Sequence, residues 1–520
     1  MTNNPSIEPV QTVSANYNDL KFYFANLNTM FSIRDTLATD MMTDMPAGGL
    51  HRRIQEISSL TKRIYAETTT PAVTGLLDKV ESEAENTKED WNKWDLANLK
   101  EMRRIHNHLS ALPPELYIAS VQISNEGRKM HAAAMQSKNW QNVIPYVQKV
   151  VDTYKKIGEL KQNKFNTETP YRALLIGYAS DIDDRQMDDL YEGLLAPLKD
   201  LLTKAIDKQN MDELPLPLKG EFTRKDQMWL NKTILELMGF DFQRGHLAIS
   251  SLNPMTGGHP DDTRVLVRCN DETSFLDSME DTLYQGARAI YNQNLPTDWK
   301  TQPVGQDQGM IMMNTMSILF ETIIGRMPQF FEFVSSRAEG VFRQFKNDSF
   351  SAENLYRLRK VIHRTNERNE ADELTKIFHD ILRYRIERDL MNGTLAVKDL
   401  EERWNEESKE LLGETPKDIT QGVLQNPDWF TGRIGFIPTN TLSHIMAAEV
   451  QDVLYQTYPS MINNIAEGNF EDITSWLKTN IFEVGRLEGT FDTMTRLTGQ
   501  DISPEPLITH LKRRYLSEKR

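Results

Sequence analysis

The sequence predicts an all-α protein, predominantly helical and built as a single large domain over residues 1–520. Three observations predict it. Apolar residues recur at alternating steps of three and four nearly throughout, which lines one face of a helix. Proline and glycine punctuate such stretches at recurring corners. Low-complexity tracts, internal repeats and linker-like segments are absent, which favours one domain over the three or four that length alone suggests at about 150 residues each.

The elements follow in chain order. Tyr17, Leu20, Phe24, Leu27 and Phe31 mark the apolar face of a first long helix. Corners are predicted at Met45-Pro46-Ala47-Gly48-Gly49, Leu112-Pro113-Pro114, Thr169-Pro170 and Leu214-Pro215-Leu216-Pro217. The segment 246–269 breaks the helical pattern: His246–Ser250 and Arg264–Cys269 read as two short strands joined by a Gly/Pro-rich loop, a small β-hairpin. Such a sheet in a helical protein either edges a binding cleft or decorates the surface. Residues 279–299 form a helix ending near Leu295-Pro296. Met310 through Met313, with Met316, reads as helix packing, with thioethers available to line an apolar pocket.

Charge and composition exclude several functions. A net charge of −15 argues against nonspecific nucleic-acid binding, so any functional positive charge must be local. No run of about 18 apolar residues exists to span a bilayer. The N-terminus has neither a basic start nor an apolar stretch, and the single cysteine, Cys269, forms no internal disulfide. These point to a soluble, cytoplasmic protein. Among the ten histidines none is followed by glutamate and no two stand four apart. His106 and His108 fall on different faces of a helix. His246, His259 and His444 have no spacing that links them as metal ligands.

Within the helix at 279–299, Ala289, Tyr291, Gln293, Leu295 and Pro296 match the second half of a motif, His-Glu-x-x-His-Ala-Leu-Tyr-x-Gln-x-Leu-Pro. The chain therefore resembles the Taq-type zinc carboxypeptidases, and the resemblance covers nearly its whole length. Met313-Asn314 through Gly325-Arg326 resembles the next zinc-site helix of that family. Gly239-Phe-Asp-Phe precedes the strands as it does there, with Asn253-Pro254-Met255 in place of His-Pro-Phe. Asp262, Arg264 and Leu266 follow Asp-x-Arg-x-Thr, and Arg368 through Glu373 follows Arg-x-x-Ala-Asp. Gly422 through Trp429 resembles Gly-x-x-Gln-Asp-x-His-Trp, and Gly435-Phe436-Ile437-Pro438-Thr439-Asn440 resembles Gly-Tyr-Phe-Pro-Thr-Tyr.

The resemblance implies a central cleft with the sheet at its edge, and a homodimer. It also places the family's two zinc histidines on Tyr284 and Arg288, its general-base glutamate on Gln285 and its third ligand on Asn314. Guanidinium has no free lone pair and stays charged, and an amide has no carboxylate to act as base. The expectation is thus no metal and no cofactor. Arg288 is expected to take over the ion's electrostatic role by pairing with Glu321 or Asp428.

Three functions follow. The first is a zinc-less homologue that binds a peptide-like or small carboxylate-bearing ligand, with Asp262, Arg264, Asn314, Glu321, Arg326, Arg368, Asp428 and Asn440 as ligand-binding candidates. The second is a metal-free enzyme acting on an amino-acid-like molecule, with Tyr284, Gln285 and Arg288 at the catalytic positions: Tyr284 would be the acid/base group, and Arg288 and Arg264 would orient a carboxylate or oxyanion. The third is an active metallocarboxypeptidase with displaced ligands. Asp262 with Arg264 is either a reader of the ligand's C-terminal end or a structural ion pair, and Arg326 and Arg368 carry the same two readings.

Overall fold

The computed structural model describes residues 14–43, 45–178, 184–251, 253–272, 274–342 and 348–517. The leading residues, on which the targeting expectation rests, lie outside that set. The chain opens with α1 (Ala15–Asp40), α2 (Leu50–Thr68), α3 (Pro71–Asn86) and α4 (Lys93–Ser110). Ser14 starts α1 by accepting a hydrogen bond from the Tyr17 amide at 2.9 Å, a cap that contributes about 1 kcal/mol. Tyr17, Leu20, Phe24 and Leu27 are buried as their spacing predicts, with Phe31 packed beside them. They meet Val73, Leu77 and Val80 of α3 and Leu99 and Met102 of α4 in a core of their own.

A second, larger core holds the rest together. It is built by α5 (Pro114–Ser137), α6 (Trp140–Phe165), α7 (Pro170–Leu175), α8 (Asp184–Met211) and α9 (Arg224–Leu237). After the sheet come α10 (Phe275–Gln293), α11 (Met310–Ile318), α12 (Pro328–Val341), α13 (Ala352–Leu358), α14 (Glu373–Asn392), α15 (Leu400–Leu411), α16 (Asp428–Thr431) and α17 (Pro438–Thr457). The chain finishes with α18 (Met461–Ala466), α19 (Glu471–Asn480), α20 (Thr490–Thr498) and α21 (Glu505–Leu516). The predicted corners fall where the prolines put them. Pro114 and Pro170 occupy first turns, where the missing N–H costs nothing, and Thr169 caps α7 through the Arg172 amide at 3.0 Å. No helix among the described residues is long and apolar enough to cross a membrane.

The expected hairpin is not a hairpin. Three strands, β1 (Gly245–Ile249), β2 (Met255–His259) and β3 (Asp262–Val267), form a sheet in the order β1-β3-β2. The two anticipated strands are parallel neighbours, with Leu247 opposite Val265, while β2 runs antiparallel to β3. The edge strand β2 hides in the sequence because Thr256-Gly257-Gly258 has the composition of a loop. Gly258 is required there: at φ +91 a Cβ would sit 2.0 Å from the Asp262 carbonyl oxygen.

Candidate functional site

Helix α10 runs through the protein interior and is open to solvent along one line only. Asp277, Glu280, Tyr284, Arg288 and Asn292 are its half-buried positions, at spacings of three and four, and every other residue of the helix is buried. That line is the floor of the candidate site.

Arg288 and Tyr284 converge on Asn314 of α11. Arg288 Nη2 donates to Asn314 Oδ1 at 2.5 Å and the Tyr284 hydroxyl donates to the same oxygen at 3.1 Å. Asn314 in turn donates through Nδ2 to Asn440 Oδ1 on α17 at 3.2 Å. The guanidinium lies 5.4 Å from the Tyr284 ring centroid and has the Met310 sulfur at 3.2 Å, while its Nε has no partner. The expected ion pair of Arg288 with Glu321 or Asp428 does not form. Its partners are neutral: an amide, a thioether and an aromatic face.

Each of those two carboxylates has other cations. α11 passes into a π-helical turn over Leu319–Ile324, and this turn presents Glu321 to Arg326. Burial opposes ionisation of Glu321, but Arg326 and Lys376 outweigh it and hold its carboxyl below the usual range. Arg326 also faces Glu280 at 3.4 Å, and Arg359 faces Glu280 at 3.1 Å. Asp428 is nearly fully buried, which raises its carboxyl against the pull of Arg433, Arg383 and Arg368. Arg368 is paired with the fully buried Asp380, at 2.6 Å, and is close enough to feel Tyr284 and Asp428.

The sequence reading missed α14. This helix carries Lys376, Asp380, Arg383 and Glu387 at steps of four, three and four, which places the four charged groups along one face, and that spacing was the available signal. Lys376 is half-buried, without a hydrogen bond or ion pair among the described residues, and burial together with Arg368 lowers its amine. Near it His444, four residues after Asn440 on α17, has a buried Nδ1 without a partner and is driven down to about 4 by burial. Glu387 accepts from the Gly435 amide at 2.6 Å and the Tyr171 hydroxyl at 2.9 Å, and burial pushes it up to about 8.

The profile of the Carboxypeptidase Taq (M32) metallopeptidase family matches residues 19–515. The chain belongs to that family. Thermostable carboxypeptidase 1 of Thermus thermophilus is 25% identical over 510 residues, covering 97% of this chain and 99% of that protein. Carboxypeptidase 1 of Bacillus subtilis is 24% identical over 478 residues, covering 92% and 93%. The solved structure of Trypanosoma cruzi metallocarboxypeptidase 1 superposes with a TM-score of 0.92 at 27% identity, covering 96% of this chain and 99% of that one.

On this M32 scaffold the residues singled out in the sequence divide into two sets. Tyr284, Arg288, Asn314 and Asn440 form one connected cluster, with Arg368, Glu321, Arg326 and Asp428 in the charged shell beside it. Gln285 does not join them. It is buried beneath the sheet, where the Thr256 hydroxyl donates to its Oε1 at 3.0 Å, because one step along the helix turns it about 100° away from Tyr284. Asp262 and Arg264 hydrogen-bond each other at 2.9 Å on β3, and both are well exposed. Of the methionines, Met312 and Met316 are core residues, and the half-buried Met310 touches Arg288. No three His, Cys, Asp or Glu side chains among the described residues are grouped as a metal would need.

Proposed function

We propose that this chain is a zinc-less M32 homologue whose cleft binds a peptide-like or carboxylate-bearing ligand. The observation that carries the proposal is Arg288: a half-buried guanidinium held only by neutral partners, with one N–H unpaired. A buried charge without a counter-charge is costly, and an incoming carboxylate would supply bidentate hydrogen bonds and the missing charge together.

Zinc does not suit this donor set. The ion takes imidazole, thiolate or carboxylate ligands. Here the equivalent atoms belong to a phenol, a guanidinium and an amide whose oxygen already accepts two hydrogen bonds, one for each lone pair. The fixed charge of Arg288 adds repulsion toward any dication.

Calorimetric titration with a tetra-alanine peptide and its C-terminal amide tests the reading. The acid should bind at least about tenfold more tightly than the amide, as expected for a charge-assisted contact. Equal affinity, or none for either, would sink it. The proposal extends to a cytoplasmic homodimer that engages neither nucleic acid nor membrane, which sedimentation and binding assays check.

A second reading, a metal-free enzyme on an amino-acid-like molecule, draws support from Lys376. A partnerless amine that burial, Arg368 and Arg326 shift down against the opposing pull of Glu321 and Asp380, close to the unpartnered Nδ1 of His444, has surroundings that favour a nucleophilic lysine. Turnover of a screened amino acid derivative that survives in Gln285→Ala but not in Lys376→Met would favour it over simple binding.

A further inference from the structure

Where the two cores meet, α4 of the first and α6 of the second place two basic groups together with nothing to neutralise them. The His108 ring packs against Phe165, with centroids 4.8 Å apart, and its Nε2 is buried without a hydrogen-bond partner. Lys161, one turn before Phe165 on α6, is half-buried and has neither a hydrogen bond nor an ion pair among the described residues. The charged groups that reach His108 are Lys161, Arg104 and Arg486, all cations. Glu101, the carboxylate on this part of α4, is occupied by Arg104 at 2.7 Å and by Arg486 at 3.4 Å.

This arrangement costs free energy as it stands. Burial drives the Lys161 amine down to about 8, and burial with the neighbouring cations drives His108 down to about 3. In a protein of net charge −15 a carboxylate would be easy to supply, yet none is provided here. Neighbouring residues link this place to the site already described: Arg486 lies beside Gly309, the residue before α11, and the next residue, Met310, touches Arg288.

We propose that Lys161 and His108 form an anion-accepting subsite of the cleft, and that the ligand carries an acidic side chain in addition to its terminal carboxylate. The inference rests on the reading of the cleft as a ligand-binding site and narrows it to acidic peptides. A side-chain carboxylate between Lys161 and His108 would give each its missing partner. Both groups would then favour their protonated forms, so binding takes up protons from solution.

Calorimetry on the full chain with tetra-glutamate and tetra-alanine tests this. Tetra-glutamate should bind about tenfold more tightly at low salt, an advantage that shrinks as salt is raised, as expected for a partly buried ion pair. At pH 8 its binding should be accompanied by proton uptake, measured in buffers of different ionisation enthalpy. Lys161→Gln should remove the preference and reduce the uptake while leaving tetra-alanine affinity unchanged, and Lys161→Arg should retain the preference. Because Lys161 makes no contact that the fold depends on and carries an uncompensated charge, the melting temperature of Lys161→Gln should match or exceed that of the parent. If tetra-alanine binds and tetra-glutamate binds no better, or if Lys161→Gln keeps the preference, the subsite is wrong and the proposed function stands. If neither peptide binds, both fall.

Discussion

Arg288 Nη2 and Asn314 Oδ1 meet at 2.5 Å across α10 and α11, and the same oxygen also receives the Tyr284 hydroxyl. One amide thereby consumes both its lone pairs on two neighbours, and the cation it holds keeps its full charge. Much of the chemistry expected of the cleft follows from that saturation.

The first expectation concerns Arg288. Arg288→Met should weaken peptide binding by at least about tenfold, because it removes the charge the ligand carboxylate meets. The same change should leave stability unchanged or raise it, since an apolar chain of similar length replaces an uncompensated cation. Binding calorimetry and urea denaturation separate the two effects.

Metal affinity gives a second expectation. The parent chain, dialysed against zinc and then against buffer, should retain less than stoichiometric metal by elemental analysis. The combined variant Tyr284→His, Gln285→Glu, Arg288→His and Asn314→Glu should retain about one ion per chain, because it restores two imidazoles at i and i+4 and an acidic third ligand. Failure of that variant to take up zinc, while folded, would mean the motif has been matched to the wrong residues.

Breaking the Arg368–Asp380 pair should be costly. Asp380 is fully buried and Arg368 is largely so, and Asp380→Asn leaves the guanidinium without its carboxylate, at a loss of about 3–5 kcal/mol in urea denaturation. Arg264→Ala, which removes an exposed pair on β3, should cost less than about 0.5 kcal/mol.

Glu387 predicts how stability depends on pH. Its carboxyl titrates near 4.5 unfolded and is raised to about 8 by burial in the fold. A group whose folded value is raised favours the folded state fully below the unfolded value, and the benefit is lost as pH rises through the folded one. The parent should therefore lose stability relative to Glu387→Gln between pH 5 and 8, because glutamine keeps an acceptor for Gly435 and Tyr171 without titrating. Parallel denaturation curves across that range would contradict the assignment.

The helical class and the proline corners were legible because they depend on local signals. The apolar stripe of α1 follows from periodicity and is buried as expected, and α10, read over 279–299, runs Phe275–Gln293. Strand β2 was not legible, since Thr256-Gly257-Gly258 is extended only by virtue of its pairing with β3. The partner of Arg288 was missed for a related reason. Charge complementarity pointed to Glu321 or Asp428, but Arg326 engages the first, and Arg433, Arg383 and Arg368 surround the second. The stripe of Lys376, Asp380, Arg383 and Glu387 was present in the sequence at helical spacing, but charged residues at such spacing ordinarily mark a solvated face, and only the packing of α14 shows them buried or half-buried.

The open line along α10 also sets a length. Asp277 and Glu280 at one end are engaged by the cations Arg359 and Arg326, which leaves Tyr284 to Asn292 as the half-buried span without a charged partner. Eight residues of helix advance about 12 Å, and an extended chain covers that distance in three or four residues. A peptide bound along this line as proposed would therefore span it with three or four residues, and a longer chain would have to leave it or turn.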